Sequence, residues 1–542
     1  QVRTHLGSWS ISLAAGVSFL PCLMFALRRA LRRLHRAWWA VRLSLRRRTC
    51  LAQVPSYSQA VEPRVSLHPA ILVRRALMAT AAPLLLGVAA DAIGLAAWCQ
   101  ARRLLERGGS AEASLAKLTE DDAAQVPIRT EDLPLHTSGR WIVNRGGRRV
   151  RLRCVNWYGA HLPSRVVGGL DRQPLSEMVM KIRSLGFNCV RLPYSLELQL
   201  GISRPAARNL AANPLLRNAT GMEVLDATIA ALAALKILVV LNNHQGRAMW
   251  CCSEDDGEGL WYTREHPEQV WLAALGSLAA RYSSEPYVVG YDLRNEPRGV
   301  PRALAASGSL RGQYGQRVRP SWGEGPNDTD WSAAAVRGGL AVAGRDAAAL
   351  IFVEGLDFAT DLRGLRAGGR VHEHPGLRGK VVYEVHDYSW YHGELTWAWL
   401  LHWMCMGWCI ITLCTAGWDN KRYSVSLLAS LILPWSVSSW LSSYTNFVRT
   451  ISAKWGFLLD DGEAPVWLGE FGTNGMDVTD DWWLEIGETG WWRNILRYIK
   501  ERDMDYAYWA LNGDKAGDSE TFGILNSDYA TLRHPWMVGV LP

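Results

Sequence analysis

The chain has 542 residues, room for one large barrel domain with extras or for two to three ordinary domains. It is 49% apolar and 20% charged, which excludes wholesale disorder. The net charge of +8 sits at one end: residues 1–75 hold 13 Arg and a single acid, Glu62, while the remainder carries 46 basic and 50 acidic side chains, a net of −4. A basic flank on a mildly acidic body excludes nucleic acid as the partner and points to the cytosolic side of a membrane.

In chain order, Trp9 to Leu27 is an apolar stretch long enough for a short span or a signal core. An Arg-rich segment follows, in which Leu27, Leu31, Leu34, Trp38, Val41 and Leu45 recur at helical spacing. It reads as a helix lying on anionic membrane lipids or as a solvated basic tail. Residues 77–98 contain one charge, Asp91, and are the better candidate for a transmembrane helix. With 1–100 as a basic membrane-anchor region, the upstream Arg places everything downstream outside the cell or in a lumen. Residues 101–136 read as a polar linker.

From 137 to 542 short β-rich runs alternate with helical stretches. A hairpin with Arg145-Gly146-Gly147 at its turn leads into a first strand ending near Asn156. Seven more strand-like runs begin at Cys189, Ile237, Val288, Leu350, Val381, Pro465 and Met504, with helices expected at 222–235, 267–282, 331–348 and 482–502. Eight such units predict an α/β fold, a (β/α)8 TIM barrel. One connection breaks the rhythm. Between strands six and seven, 395–441 is apolar around a short D-N-K-R turn, as expected of a hydrophobic hairpin that enters and leaves a bilayer, or of a protein-buried lid.

Reactive side chains of such a barrel sit at the C-terminal strand ends. Read off in order, those ends deliver Arg191, His244, Asn295 with Glu296, His386 with Tyr388, Glu470, and Trp509. Two carboxyls facing each other across the mouth, Glu296 and Glu470, match the requirement of retaining glycoside cleavage for one neutral acid and one ionised nucleophile. Asn295 can bind a sugar 2-hydroxyl, and Arg191 and Tyr388 can hold Glu470 ionised and aimed. His386 and His244 can bridge substrate hydroxyls and the surroundings of the acid, and Trp509 can floor the subsite. The 27 Trp suit a cleft that stacks on sugar rings, although core packing accounts for most of them.

The motifs R-L-P-Y at Arg191, N-N-H ending at His244, N-E-P at Asn295, H-D-Y at His386, G-E-F-G at Gly469 and Y-W at Tyr508 resemble glycoside hydrolase family 5, the cellulase family. W-C-C-S-E-D-D-G-E-G from Trp250 and G-F-L-L-D-D-G from Gly456 look like a branch found in plants and fungi. The resemblance covers about residues 137–540 apart from the apolar insertion, and it implies Glu296 as acid/base and Glu470 as nucleophile. It further implies a β-glucan substrate cleaved as by an endo-β-1,4-glucanase, with a glycolipid or another β-glycan such as mannan as alternatives. No cofactor and no metal are expected. A catalytically silent, membrane-tethered carbohydrate-binding protein is the reading from another class, and the presence of both acids stands against it.

Weaker signals remain. Asp255, Asp256 and Glu258 read as a calcium site or a solvated acidic loop, and His372 and His374 as a loop. Cys251 and Cys252 read as reduced neighbours or as one side of a disulfide. Asn218-Ala-Thr and Asn327-Asp-Thr are glycosylation sequons if the barrel is luminal.

Overall fold

The computed structural model describes residues 128–301, 317–393, 441–474, 488–515 and 518–542. The expected anchor at 1–100, its candidate span at 77–98, most of the linker and nearly all of the 395–441 insertion lie outside them. Among the described residues no helix is long and apolar enough to cross a membrane.

Eight parallel strands close into a barrel: β1 (Arg153–Asn156), β2 (Cys189–Ser195), β3 (Leu238–Gln245), β4 (Val288–Asp292), β5 (Leu350–Glu354), β6 (Val381–His386), β7 (Val466–Phe471) and β8 (Asp505–Tyr508). Neighbours in sequence are neighbours in space, and β8 closes on β1 through Tyr506 opposite Arg153 and Tyr508 opposite Val155. All eight strands fall where the sequence places them. Helices α1 (Leu175–Ser184), α2 (Gly221–Ala234), α3 (Glu268–Tyr282), α4 (Trp331–Ala343), α5 (Tyr444–Ile451), α6 (Phe457–Asp461) and α7 (Glu488–Arg502) surround it. α2 starts on a capping box, in which Thr220 Oγ1 accepts from Glu223 N and Glu223 returns a carboxylate to the Thr220 amide. α4 starts on Asp330, whose side chain accepts from Ala333 N.

Period-two alternation along the strands sorts their side chains. Val190, Leu192, Val239, Leu241, Ile351, Val353, Val385 and Leu468 pack outward into the core shared with the helices. Leu238, Val240, Leu350, Phe352, Val382 and Trp467 form a separate cluster in the lower interior, with Phe352 edge-on to Trp467 at 4.7 Å. Further along the same strands the interior positions become Asn156, Arg191, Asn242, Asp292, Glu354, Glu384 and His386, all fully buried. The lower interior is therefore apolar and the upper interior charged.

The floor is closed by a hairpin, His136–Ser138 paired with Trp141–Val143. The anticipated Arg145-Gly146-Gly147 turn follows it, closed by a Val143–Arg149 bridge. Leu133, Leu135 and Ile142 pack into the floor cluster, and Thr130 Oγ1 lies 3.2 Å from Tyr287 Oη. Residues 128–136 thus correct the linker expectation: two buried leucines fasten them under the barrel. A disulfide, Cys154–Cys189, joins β1 to β2 at directly paired positions, a link that sequence reading missed.

Candidate active site

Arg191 is the centre of the mouth. β2 delivers it pointing inward, and its guanidinium reaches four carboxylates: Asp292 at 2.8 Å, Glu354 at 2.9 Å, Glu384 at 3.1 Å and Glu470 at 2.7 Å. Nη1 also donates to Asn156 Oδ1 at 3.0 Å and Nη2 to Asn295 Oδ1 at 2.9 Å. One cation cannot neutralise four buried acids, and burial followed by repulsion from Asp292 holds Glu354 and Glu384 well above the usual carboxylate range. Both are therefore easier to protonate than an ordinary carboxylate. Gly469 makes the crowding possible, because a Cβ there would fall 1.8 Å from Glu384 Oε1.

Glu470, on β7, accepts from Arg191 Nη1 and, at 3.1 Å, from Tyr388 Oη. Glu296 lies just beyond β4 with φ +47, a conformation that costs a non-glycine residue. Its backbone is pinned: Glu296 N donates to Glu354 Oε2 at 2.6 Å, and its carbonyl accepts from Arg298 Nη1 at 3.0 Å. The Glu296 carboxyl meets His386 Nδ1 at 3.0 Å. Oxygens of Glu296 and Glu470 and a nitrogen of His386 all lie within 4.8 Å of one another.

Burial pushes Glu296 up to about 7, against the pull of Arg298 and Arg191. Glu470 is also raised, first by burial, with His386 and Arg191 pulling it down and Glu296 pushing it up. Burial takes His386 down to about 4, so the ring is neutral and its contact with Glu296 is a hydrogen bond rather than an ion pair. The pair is thus asymmetric: Glu470 rests on a permanent cation and a phenol, Glu296 on a neutral imidazole. An arrangement of this kind can supply one protonated and one ionised carboxyl at the same moment.

Trp509 lies at the end of β8, stacked on Tyr158 at 5.2 Å and on His244 at 5.9 Å. It borders a cleft of about 420 Å³ lined by Glu296, Glu470, Tyr388, Trp250, Phe358, Trp390, Phe522 and Lys515. All eight residues singled out in the sequence are at this mouth. One expectation is altered: His244 is buried, with Nδ1 on Asn242 Oδ1 at 2.6 Å and Nε2 turned to Cys251 Sγ at 3.1 Å. Its place is behind the wall rather than on a substrate hydroxyl.

The acidic loop is corrected too. Asp256 pairs with buried Arg298 at 2.5 Å and Glu258 with buried Arg294 at 3.0 Å, so these acids are internal ion pairs, neither calcium ligands nor solvated. Asp255 alone is exposed, beside Arg317. His372 lies in a 3-10 turn, Val371–Glu373, rather than on a loop, with Nδ1 2.9 Å from Tyr383 Oη. Cys251 and Cys252 are bonded to each other. Sequence reading missed Asn156, Asp292, Glu354 and Glu384; strand alternation carried the signal for the last two, since Glu384 shares a face with His386 and Glu354 with Phe352.

A family model described as Cellulase (glycosyl hydrolase family 5) matches residues 148–515. A glycosyl hydrolase 5 family protein of Chamaecyparis obtusa is 29% identical over 457 residues, 79% of this chain and 68% of that protein. An endoglucanase of Paenibacillus polymyxa is 28% identical over 414 residues, 74% of this chain and 84% of its own length. Among solved structures, the hyperthermophilic endocellulase from the archaeon Pyrococcus horikoshii superposes with a TM-score of 0.56 at 23% identity, covering 76% of this chain and 98% of that one. That likeness concerns the fold.

Proposed function

We propose that this chain, which belongs to glycosyl hydrolase family 5, the cellulases, cleaves a β-1,4-glucan internally with retention of anomeric configuration. Membership makes it a glycosidase acting on O-glycosyl bonds; linkage, endo action and residue roles are the proposal. The observation that carries it is the pair of carboxyls with oxygens within 4.8 Å, one charge-paired and one not. Retaining enzymes hold their carboxyls about 5–5.5 Å apart, whereas inverting enzymes need about 6.5–9.5 Å to admit a water.

In this reading protonated Glu296 donates to the departing glycosidic oxygen while Glu470 attacks the anomeric carbon to form a glycosyl ester. Glu296, now ionised, then takes a proton from the water that releases the sugar. Arg191 and Tyr388 aim Glu470, His386 orients Glu296, Asn295 offers its amide to the 2-hydroxyl, and Trp509 floors the sugar site. The glucan assignment is supported by the Paenibacillus relative, named an endoglucanase, and by the Pyrococcus endocellulase, solved with cellotetraose. We also place the barrel outside the reducing cytosol. Support comes from two disulfides and from two sequon asparagines, Asn218 and Asn327, that are both exposed.

Proton NMR of the first product released from a cello-oligosaccharide tests the reaction, with the β-anomer expected. Release of the α-anomer overturns retention. Turnover of mannan, 3-linked glucan or lactosylceramide in preference to 4-linked glucan overturns the substrate.

A further inference from the structure

We propose that the Cys251–Cys252 disulfide is a positioning element of the substrate-binding wall, holding Asn295 and Trp250 in the geometry that binds the glycan. The inference rests on the glycosidase reading of the same cleft. Adjacent cysteines close an eight-membered ring, and this one lies on the cleft surface between Trp250 and Glu254.

Each sulfur touches a member of the mouth. Cys252 Sγ accepts from Asn295 Nδ2 at 3.3 Å, while Asn295 Oδ1 is held by Arg191. Both ends of the amide are thereby fixed, and the guanidinium that fixes one of them also holds Glu470. On the other side, Asn242 spends its Nδ2 on Asp292 at 2.6 Å, so its Oδ1 must accept from His244 Nδ1. His244 Nε2 therefore presents a lone pair, and it faces Cys251 Sγ at 3.1 Å with no proton between them.

The ring also fixes the backbone. Cys252 has φ +93, a region non-glycine residues avoid. Besides the ring, the Cys252 amide donates to Asp256 Oδ2 at 3.2 Å, and Asp256 is locked to Arg298, which holds the Glu296 carbonyl. Trp250, next in the chain, packs edge-on to Tyr158 at 5.3 Å and under Lys515 Nζ at 4.5 Å. The loop thus joins a sugar-stacking aromatic to the backbone of the acid through one covalent ring.

Opening the ring is a two-electron reduction. A dithiol attacks Cys252 Sγ as its thiolate, and the S–S electron pair leaves on Cys251 sulfur, which takes a proton. The second thiol of the reagent then displaces Cys252 as a cyclic disulfide forms, leaving two cysteine thiols. The Cys251 S–H can now donate to His244 Nε2, and Cys252 is free to leave its positive φ, withdrawing its sulfur from Asn295. The other disulfide serves as an internal control, because Cys154 and Cys189 are fully buried while Cys251 and Cys252 line the cleft.

The test uses the full chain in three states: as isolated, after dithiothreitol, and after reoxidation. Iodoacetamide labelling and peptide mass mapping of an aliquot report which pair is open. Binding of cello-, manno- and laminari-tetraose is titrated by tryptophan fluorescence, and steady-state kinetics are run alongside. With only Cys251–Cys252 open, the dissociation constant should rise about tenfold and kcat/KM should fall at least as far, and reoxidation should restore both. The double variant C251S/C252S should bind like the reduced protein and ignore dithiothreitol. Unchanged affinity in protein mapped as fully open at 251 and 252 overturns the inference. A preference for manno- or laminaritetraose overturns the 4-linked glucan reading instead, and the redox comparison is then decided on the tetraose that binds.

Discussion

The floor and the mouth of this barrel are built from the same strands by the same alternation, yet they obey opposite rules. On β5 the inward residues run Leu350, Phe352, Glu354, and on β3 they run Leu238, Val240, Asn242. Two or three residues of climb, roughly 7–10 Å at strand rise, take the interior from close-packed hydrocarbon to a cation among four acids. The lower half secures the fold by burying apolar surface, and its residues could be exchanged for others of similar volume. The upper half keeps buried charges that a purely structural core would replace with apolar residues. Chemistry is the reason for that half, and the floor beneath makes its geometry possible.

The sharpest way to separate the halves is Glu470→Gln. It should lower kcat by several powers of ten while leaving the thermal midpoint at or above that of the parent, since it removes a buried acid. Reducing-sugar assays and a melting curve on one preparation check it; residual activity near the parent's would break the comparison. Arg191→Met tests the boundary. It strands four carboxyls without their cation, so both stability, by about 3–5 kcal/mol, and activity should fall together in urea titration and kinetics. Phe352→Ala is the floor counterpart. A cavity should cost about 3–5 kcal/mol, with kcat of the folded fraction unchanged well below the midpoint. The smallest effect is a pH dependence. With Glu296 at about 7 and needed as the acid, kcat/KM should fall about tenfold per unit above that pH. In Glu296→Gln that alkaline limb should vanish, most visibly with an aryl glycoside whose leaving group needs no proton.

Much of this division was legible before any coordinates. All eight strands and the eight mouth residues could be placed because a strand end is marked by an abrupt polar residue after an apolar run. Asp292, Glu354 and Glu384 lie inside those runs, where a lone acid reads as a strand interruption until the barrel shows that it meets Arg191. Cys154 and Cys189 pair because β1 and β2 align them, and a register across a separation of 35 residues leaves no local trace. The acids of 255–258 misled for a related reason: their partners, Arg294, Arg298 and Arg317, lie tens of residues downstream on the next βα loop.

Folding the mouth is also an exchange of protons with water. Glu296, Glu354, Glu384 and Glu470 leave an ordinary value of 4.5 for higher ones, so the folded chain holds protons that the unfolded chain has released. Their contribution to stability is complete below 4.5 and is lost as the pH climbs through their folded values. His161, His244 and His386 move the other way, from 6.5 down, with His161 at about 3 and His386 at about 4. Their contribution is complete above 6.5 and is lost as the pH drops toward those values. These acids and imidazoles oppose each other across one interval, the first taking up protons on folding and the second releasing them. Between about pH 4.5 and 6.5 the two sets pull the denaturation free energy in opposite directions, and above that interval it should decline, where only the acids still titrate. Urea titrations at half-unit steps would trace that decline, and the interior of the barrel acts on its own stability as a buffer does on a solution.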